Sequence, residues 1–127
     1  MKILVVDDDA VMLEAIEFQL KQEGYDVIIA DNGESALQII QKKEPLDLIL
    51  TDLMMPGLSG LELLNLLKRY YLNKTPIIII SALDKTEVVL TALKAGANDF
   101  IIKPINFDEL LIRVKNILNH KKISLNF

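Results

Sequence analysis

A chain of 127 residues leaves room for one domain, and 51% hydrophobic against 25% charged content lets that domain bury a large apolar core. Fourteen Lys and Arg against eighteen Asp and Glu give a net charge of -4, which excludes the basic surface that would hold nucleic acid by this domain alone. With no cysteine, disulfides, thiolate metal sites and a cysteine nucleophile are excluded as well.

In chain order, the apolar residues 3–6 predict a first strand that ends on Asp7, Asp8 and Asp9. Asp9 is the N-cap of a first helix marked by Val11, Ala15 and Phe18 and closed by Gly24. Residues 27–30 predict the second strand, and Ala36, Leu37 and Ile40 a second helix stopped by Pro45. The third strand, residues 48–50, runs on to Asp52. A loop from Met54 to Gly60 then precedes a third helix marked by Leu61, Leu64 and Leu67, with Lys68 on its polar side. Residues 77–80 form the fourth strand, reaching Ser81. Val89, Leu90 and Leu93 mark the fourth helix, and Gly96 stops it. The fifth strand, residues 100–102, runs into Lys103 and Pro104. Asn106 with Glu109 reads as a capping box for a fifth helix carrying Leu110, Leu111, Val114, Ile117 and Leu118, with His120 solvated in its last turn.

The strand runs are continuous rather than alternating, as in strands covered on both faces. Five strands alternating with five helices specify an α/β fold with a doubly wound, five-stranded parallel sheet. No apolar run is long enough for a signal peptide or a membrane span, so a cytoplasmic protein without membrane contact is expected.

Ligands of such sheets bind beyond the carboxyl ends of the strands. There the sequence collects Asp7, Asp8, Asp9, Asp52, Ser81 and Lys103. Carboxylates a few ångströms apart repel by roughly 4 kcal/mol per pair at an effective dielectric near 20, so a cation belongs among them. All-oxygen ligands with few carboxylates suit Mg2+, which shares its sphere readily with phosphate. Asp52 fits a nucleophile toward phosphorus, Lys103 the neutralising ammonium and Ser81 a donor to a phosphoryl oxygen.

The segments ILVVDDD, LILTDLMMPGLSG, IIIISA and DFIIKPI, in that order and spacing, resemble the receiver domain of two-component response regulators. The resemblance covers residues 1–119 and leaves 120–127 as a tail or the start of a linker. It implies the flavodoxin-like strand order 2-1-3-4-5. It also implies that Asp52 takes a phosphoryl group from a histidine kinase, a phosphotransfer protein or a small donor such as acetyl phosphate. Asp7, Asp8, Asp52 and the backbone carbonyl of Met54 would hold Mg2+. Lys103, with a cis peptide to Pro104, would contact the phosphoryl group, and Ser81 and Phe100 would form the switch pair. Met54 and Leu83 would flank the approach of the hydrolytic water. Such a protein is a signalling phosphoacceptor rather than an enzyme, acting through an output domain or partner protein. One large class of DNA-binding regulators pairs through the fourth helix, fifth strand and fifth helix; Asp99, Glu109 and Arg113 resemble its charged set, whereas Val88 and Val89 depart from it.

Two other readings stand beside this one. VVDDDAV also fits a haloacid-dehalogenase-like phosphatase with Asp7 as nucleophile and Asp9 as acid, but the late acidic pair of that family has Lys103 and Pro104 in its place. A receiver-like interaction module that is never phosphorylated would have no need of the complete acidic set. An EF-hand starting at Asp7 fails on Met12 and Phe18, and no phosphate-binding glycine motif is present.

Overall fold

Each short apolar run becomes a strand, and each helical stretch crosses from one strand to the next. The computed structural model describes residues 1–71 and 74–125, and the side chains of these except 71 and 120–125. The elements are β1 (Lys2–Val6), α1 (Ala10–Gln22), β2 (Asp26–Ala30), α2 (Gly33–Gln41), β3 (Leu48–Asp52), α3 (Gly60–Leu66), β4 (Ile77–Ser81), α4 (Thr86–Lys94), β5 (Asp99–Ile102) and α5 (Phe107–Leu125). A π-turn at Leu67–Tyr71 extends α3. The sheet is parallel throughout, in the order β2-β1-β3-β4-β5. Among the described residues no helix is long and apolar enough to cross a membrane.

Alternate strand residues feed two cores. Ile3, Val5, Leu48, Leu50, Ile78, Ile80 and Ile101 face α1 and α5, while Leu4, Val6, Ile49, Ile77, Ile79 and Phe100 face α2, α3 and α4. β3 and β4 are buried at every position, as strands covered on both faces must be. The edge strands β2 and β5 leave Ile29 and Ile102 exposed.

Three expectations about which side chains face solvent need correction. In α1 the buried residues are Leu13, Ile16 and Leu20, whereas Val11 is 78% and Phe18 59% exposed. The helix is apolar on two faces, and contact with the sheet chooses the second. In α4 only Ala92 is fully buried, and Leu90 and Leu93 point to solvent. Lys68 lies half-buried in the π-turn with its methylenes against Gly96, where a Cβ would come within 3.0–3.3 Å of them, and burial lowers its pKa.

Helix ends follow their caps more closely. Gly24 and Gly96 have φ of +89° and +113°, but Lys43 (φ 58°) performs that turn after α2, ahead of Pro45. Asn106 accepts from the Glu109 N–H at 3.1 Å, yet the Glu109 carboxylate turns to Arg113 instead of closing a capping box. The reciprocal box is at Ser59 and Glu62, opening α3. The expectation for His120 lies outside the described side chains; the backbone of α5 continues past residue 119 to Leu125.

Candidate functional site

The sheet register brings the acidic residues level with one another. Val6 pairs with Thr51, so Asp7 and Asp52 leave adjacent strands at the same height. Asp52 in turn pairs with Ile80, one residue before Ser81. Lys103 follows β5 directly; its N–H donates to the Ser81 carbonyl at 2.8 Å, and its peptide to Pro104 is cis.

Side chains then converge. Lys103 Nζ donates to Asp52 Oδ2 at 3.0 Å and to Asp7 Oδ2 at 3.1 Å. Asp7 Oδ1 accepts from the Asp9 N–H at 2.9 Å, and Asp52 Oδ1 from the Met54 N–H at 3.3 Å. Carboxylate oxygens of Asp7, Asp8 and Asp52 lie within 4.8 Å of one another, with Asp7 and Asp52 buried and Asp8 exposed. Asp9 stands apart, its Oδ1 accepting from the Val11 and Met12 N–H groups as the cap of α1.

A sequence model of the response regulator receiver domain matches residues 3–115. The chain belongs to that family. A receiver domain of Methanospirillum hungatei, described as CheY-like, superposes with a TM-score of 0.90 at 32% identity, covering 97% of each chain. The receiver domain of the Francisella response regulator 1452 gives 0.87 at 39% identity, over 94% of this chain and 98% of that one. A probable transcriptional regulatory protein of Picosynechococcus is 40% identical over 128 residues, 95% of this chain. The receiver spans half the length of that relative.

Electrostatics in this receiver are set by burial. Burial raises the Asp7 pKa and the Asp52 charge adds to it, against the Asp9 N–H and Lys103, which lower it. For Lys103 burial opposes the charge, but hydrogen bonds and attraction from Asp52 and Asp7 outweigh it and raise the pKa. The ammonium therefore stays charged between two carboxylates.

The remaining predicted residues surround this centre. Ser81 is buried and its Oγ accepts from the Leu83 N–H at 3.1 Å. Phe100 lies inward in the core facing α4. Met54 and Leu83, 62% and 41% exposed, share an open groove beside Asp52 with Leu53, Ser59 and Val88. Arg113 Nη1 donates to both Asp99 oxygens, at 2.8 and 3.0 Å, and Arg113 Nε donates to Glu109 Oε1 at 3.1 Å.

Two contacts escaped the sequence reading. Thr51 Oγ1 donates to the Asp52 carbonyl at 3.0 Å in the buried interior. Glu34 of α2 accepts from the Leu58 N–H at 2.8 Å, reaching the loop after β3 from 24 residues away. No local motif signals either one. At Gly60, where that loop enters α3, a Cβ would collide with the Asp52 carbonyl oxygen, so the close approach requires glycine.

Proposed function

We propose that this receiver accepts a phosphoryl group on Asp52 from the phosphohistidine of a histidine kinase or phosphotransfer protein. The observation that carries the reading is the ammonium of Lys103 bridging Asp52 and Asp7, with Asp8 at the open side of the cluster. Lys103 neutralises one Asp52 oxygen and orients the carboxylate. A lone pair on the Asp52 carboxylate then forms the O–P bond as the P–N bond breaks, its electrons returning to the imidazole. The donor set is all oxygen and keeps an open face, which fits Mg2+ held by Asp7, Asp8, Asp52 and the Met54 carbonyl. Bound there, Mg2+ would supply positive charge to the phosphoryl oxygens. Ser81, released from the Leu83 amide, would donate to the new phosphoryl group, and Phe100 would follow it.

This is a stoichiometric signalling step in the cytoplasm rather than turnover of a substrate. Beside the acidic cluster, Val11, Ala15 and Phe18 form an outward stripe on α1, the helix capped by Asp9, and such a stripe suits a docking partner. Exposed Leu90, Leu93 and Ile102 support a homodimer through α4, β5 and α5. On this reading residues 1–119 form the receiver and 120–127 a tail or the start of a linker, a division suggested by the half-length match to a probable transcriptional regulatory protein.

Intact mass after incubation with acetyl phosphate and Mg2+ tests the acceptor. One phosphoryl adduct is expected on wild type and none on Asp52→Asn. An equal adduct on the variant, mapped to another residue, refutes the assignment.

A further inference from the structure

We propose that Glu34 is a positioning residue for the metal-binding loop, an inference that rests on the reading of Met54 as a backbone ligand. Residues 54–59 have no regular structure, and this loop carries the Met54 carbonyl. Its base is closed by the Gly60 N–H donating to the Leu53 carbonyl at 2.9 Å, and Met54 is tied to Asp52 Oδ1. Between those points the backbone needs support from elsewhere.

The first turn of α2 provides it. Glu34 Oε1 accepts from the Leu58 N–H at 2.8 Å, a charge-assisted bond that satisfies a backbone donor no helix or strand uses. The approach is close on both sides of that bond. A Cβ on Gly57, whose φ is +77°, would lie 2.6 Å from Glu34 Oε1, and a Cβ on Gly33 would collide with the Leu58 carbonyl oxygen. The seat itself is rigid, because Asn32 caps α2 by accepting from the Ser35 N–H at 2.7 Å.

Glu34 touches none of the reacting groups. It restricts the loop, so that the Met54 carbonyl is already in place when the cation arrives and less ordering is left for binding to supply. Because the side chain is exposed, its loss leaves the core intact.

The test uses the full chain as wild type, Glu34→Ala and Glu34→Gln. Three quantities are measured: Mg2+ affinity by NMR shift titration, hydrogen exchange at the Leu58 amide, and thermal unfolding without metal. Glu34→Ala is expected to weaken Mg2+ binding and to speed Leu58 exchange by about 3- to 10-fold each, the range of one hydrogen bond, with Tm within about 2 °C of wild type. Glu34→Gln, which keeps the acceptor oxygen, should stay within about twofold of wild type. If wild type responds to Mg2+ and Glu34→Ala titrates identically, the positioning role is overturned while the acceptor reading stands. A Glu34→Gln variant as weak as Glu34→Ala overturns it equally, and a wild type without any Mg2+ response overturns both.

Discussion

Asp7 is the residue at which function and stability pull in opposite directions. Its carboxyl is buried beside Asp52 with one ammonium shared between them, and burial is the chief reason its pKa is raised. The folded chain therefore keeps a proton on Asp7 over a pH interval in which the unfolded chain has lost it, so stability falls as pH rises from the unfolded value through the folded one. Asp7→Asn should raise Tm at pH 7 in EDTA by about 3 °C, with the gain fading toward pH 4; a loss of Tm at pH 7 would contradict this. Met54 and Leu83 make a second case at this scale. Both side chains stand in the open groove beside Asp52, and neither can hydrogen-bond the water that would attack phosphorus in line. A long-lived phosphoryl state is expected, suited to slow outputs such as transcription. Phosphoprotein decay after removal of the donor should quicken about tenfold in Met54→Asn with Leu83→Glu, and unchanged decay would refute the role of these side chains.

Elements were legible where their boundaries carry chemistry, and less so where only their rotation about the axis was in question. All five strands begin and end within two residues of the expected positions, because each is a short apolar run cut by a charge, a proline or a turn. The phase of α1 was not legible. Val11, Ala15 and Phe18 recur at helical spacing as well as Leu13, Ile16 and Leu20 do, and the sequence contains nothing that ranks one stripe above the other. The sheet buries the second stripe and leaves Val11 and Phe18 of the first exposed. Ile16→Ala should therefore cost about 2–5 kcal/mol in urea unfolding, whereas Phe18→Ala should change stability by less than about 0.5 kcal/mol. Equal losses at the two positions would mean that the helix packs on both faces. In the candidate site, the placement of Asp7, Asp8, Asp52, Ser81 and Lys103 was legible because each stands at or just past the end of a strand of a parallel sheet. Glu34 and Thr51 were not, since their partners are backbone groups, the Leu58 N–H in the loop and the Asp52 carbonyl at the end of β3, that no side-chain pattern marks.

Across the whole molecule, a rigid sheet supports one weakly held helix. Strands β3 and β4 are buried at every position, while α4 buries only Ala92 fully and its cap residue Lys85 makes no side-chain cap bond. Movement in this receiver should therefore be cheapest at α4 and the loop that leads to it. The Ser81 hydroxyl holds that loop by accepting from the Leu83 N–H, so a dianion on Asp52 that draws the hydroxyl inward also frees the amide. Phosphorylation would then be expected to shift an equilibrium and re-aim the exposed apolar side chains Leu90, Leu93 and Ile102. The charges of Asp99, Glu109 and Arg113 are already paired within the chain, so in a dimer through this face these apolar residues would have to supply most of the attraction between two copies. Beryllofluoride with Mg2+, standing in for the phosphoryl group, should move amide shifts across residues 81–105 and turn a monomer into a dimer in sedimentation. Ser81→Ala should suppress both effects. Leu90→Asp should retain the shifts near Ser81 while weakening the dimer by about 1–3 kcal/mol, roughly a 5- to 150-fold change in dissociation constant. Unaltered shifts in wild type would remove the switch, and a Leu90→Asp chain that dimerises as wild type does would remove α4 from the interface.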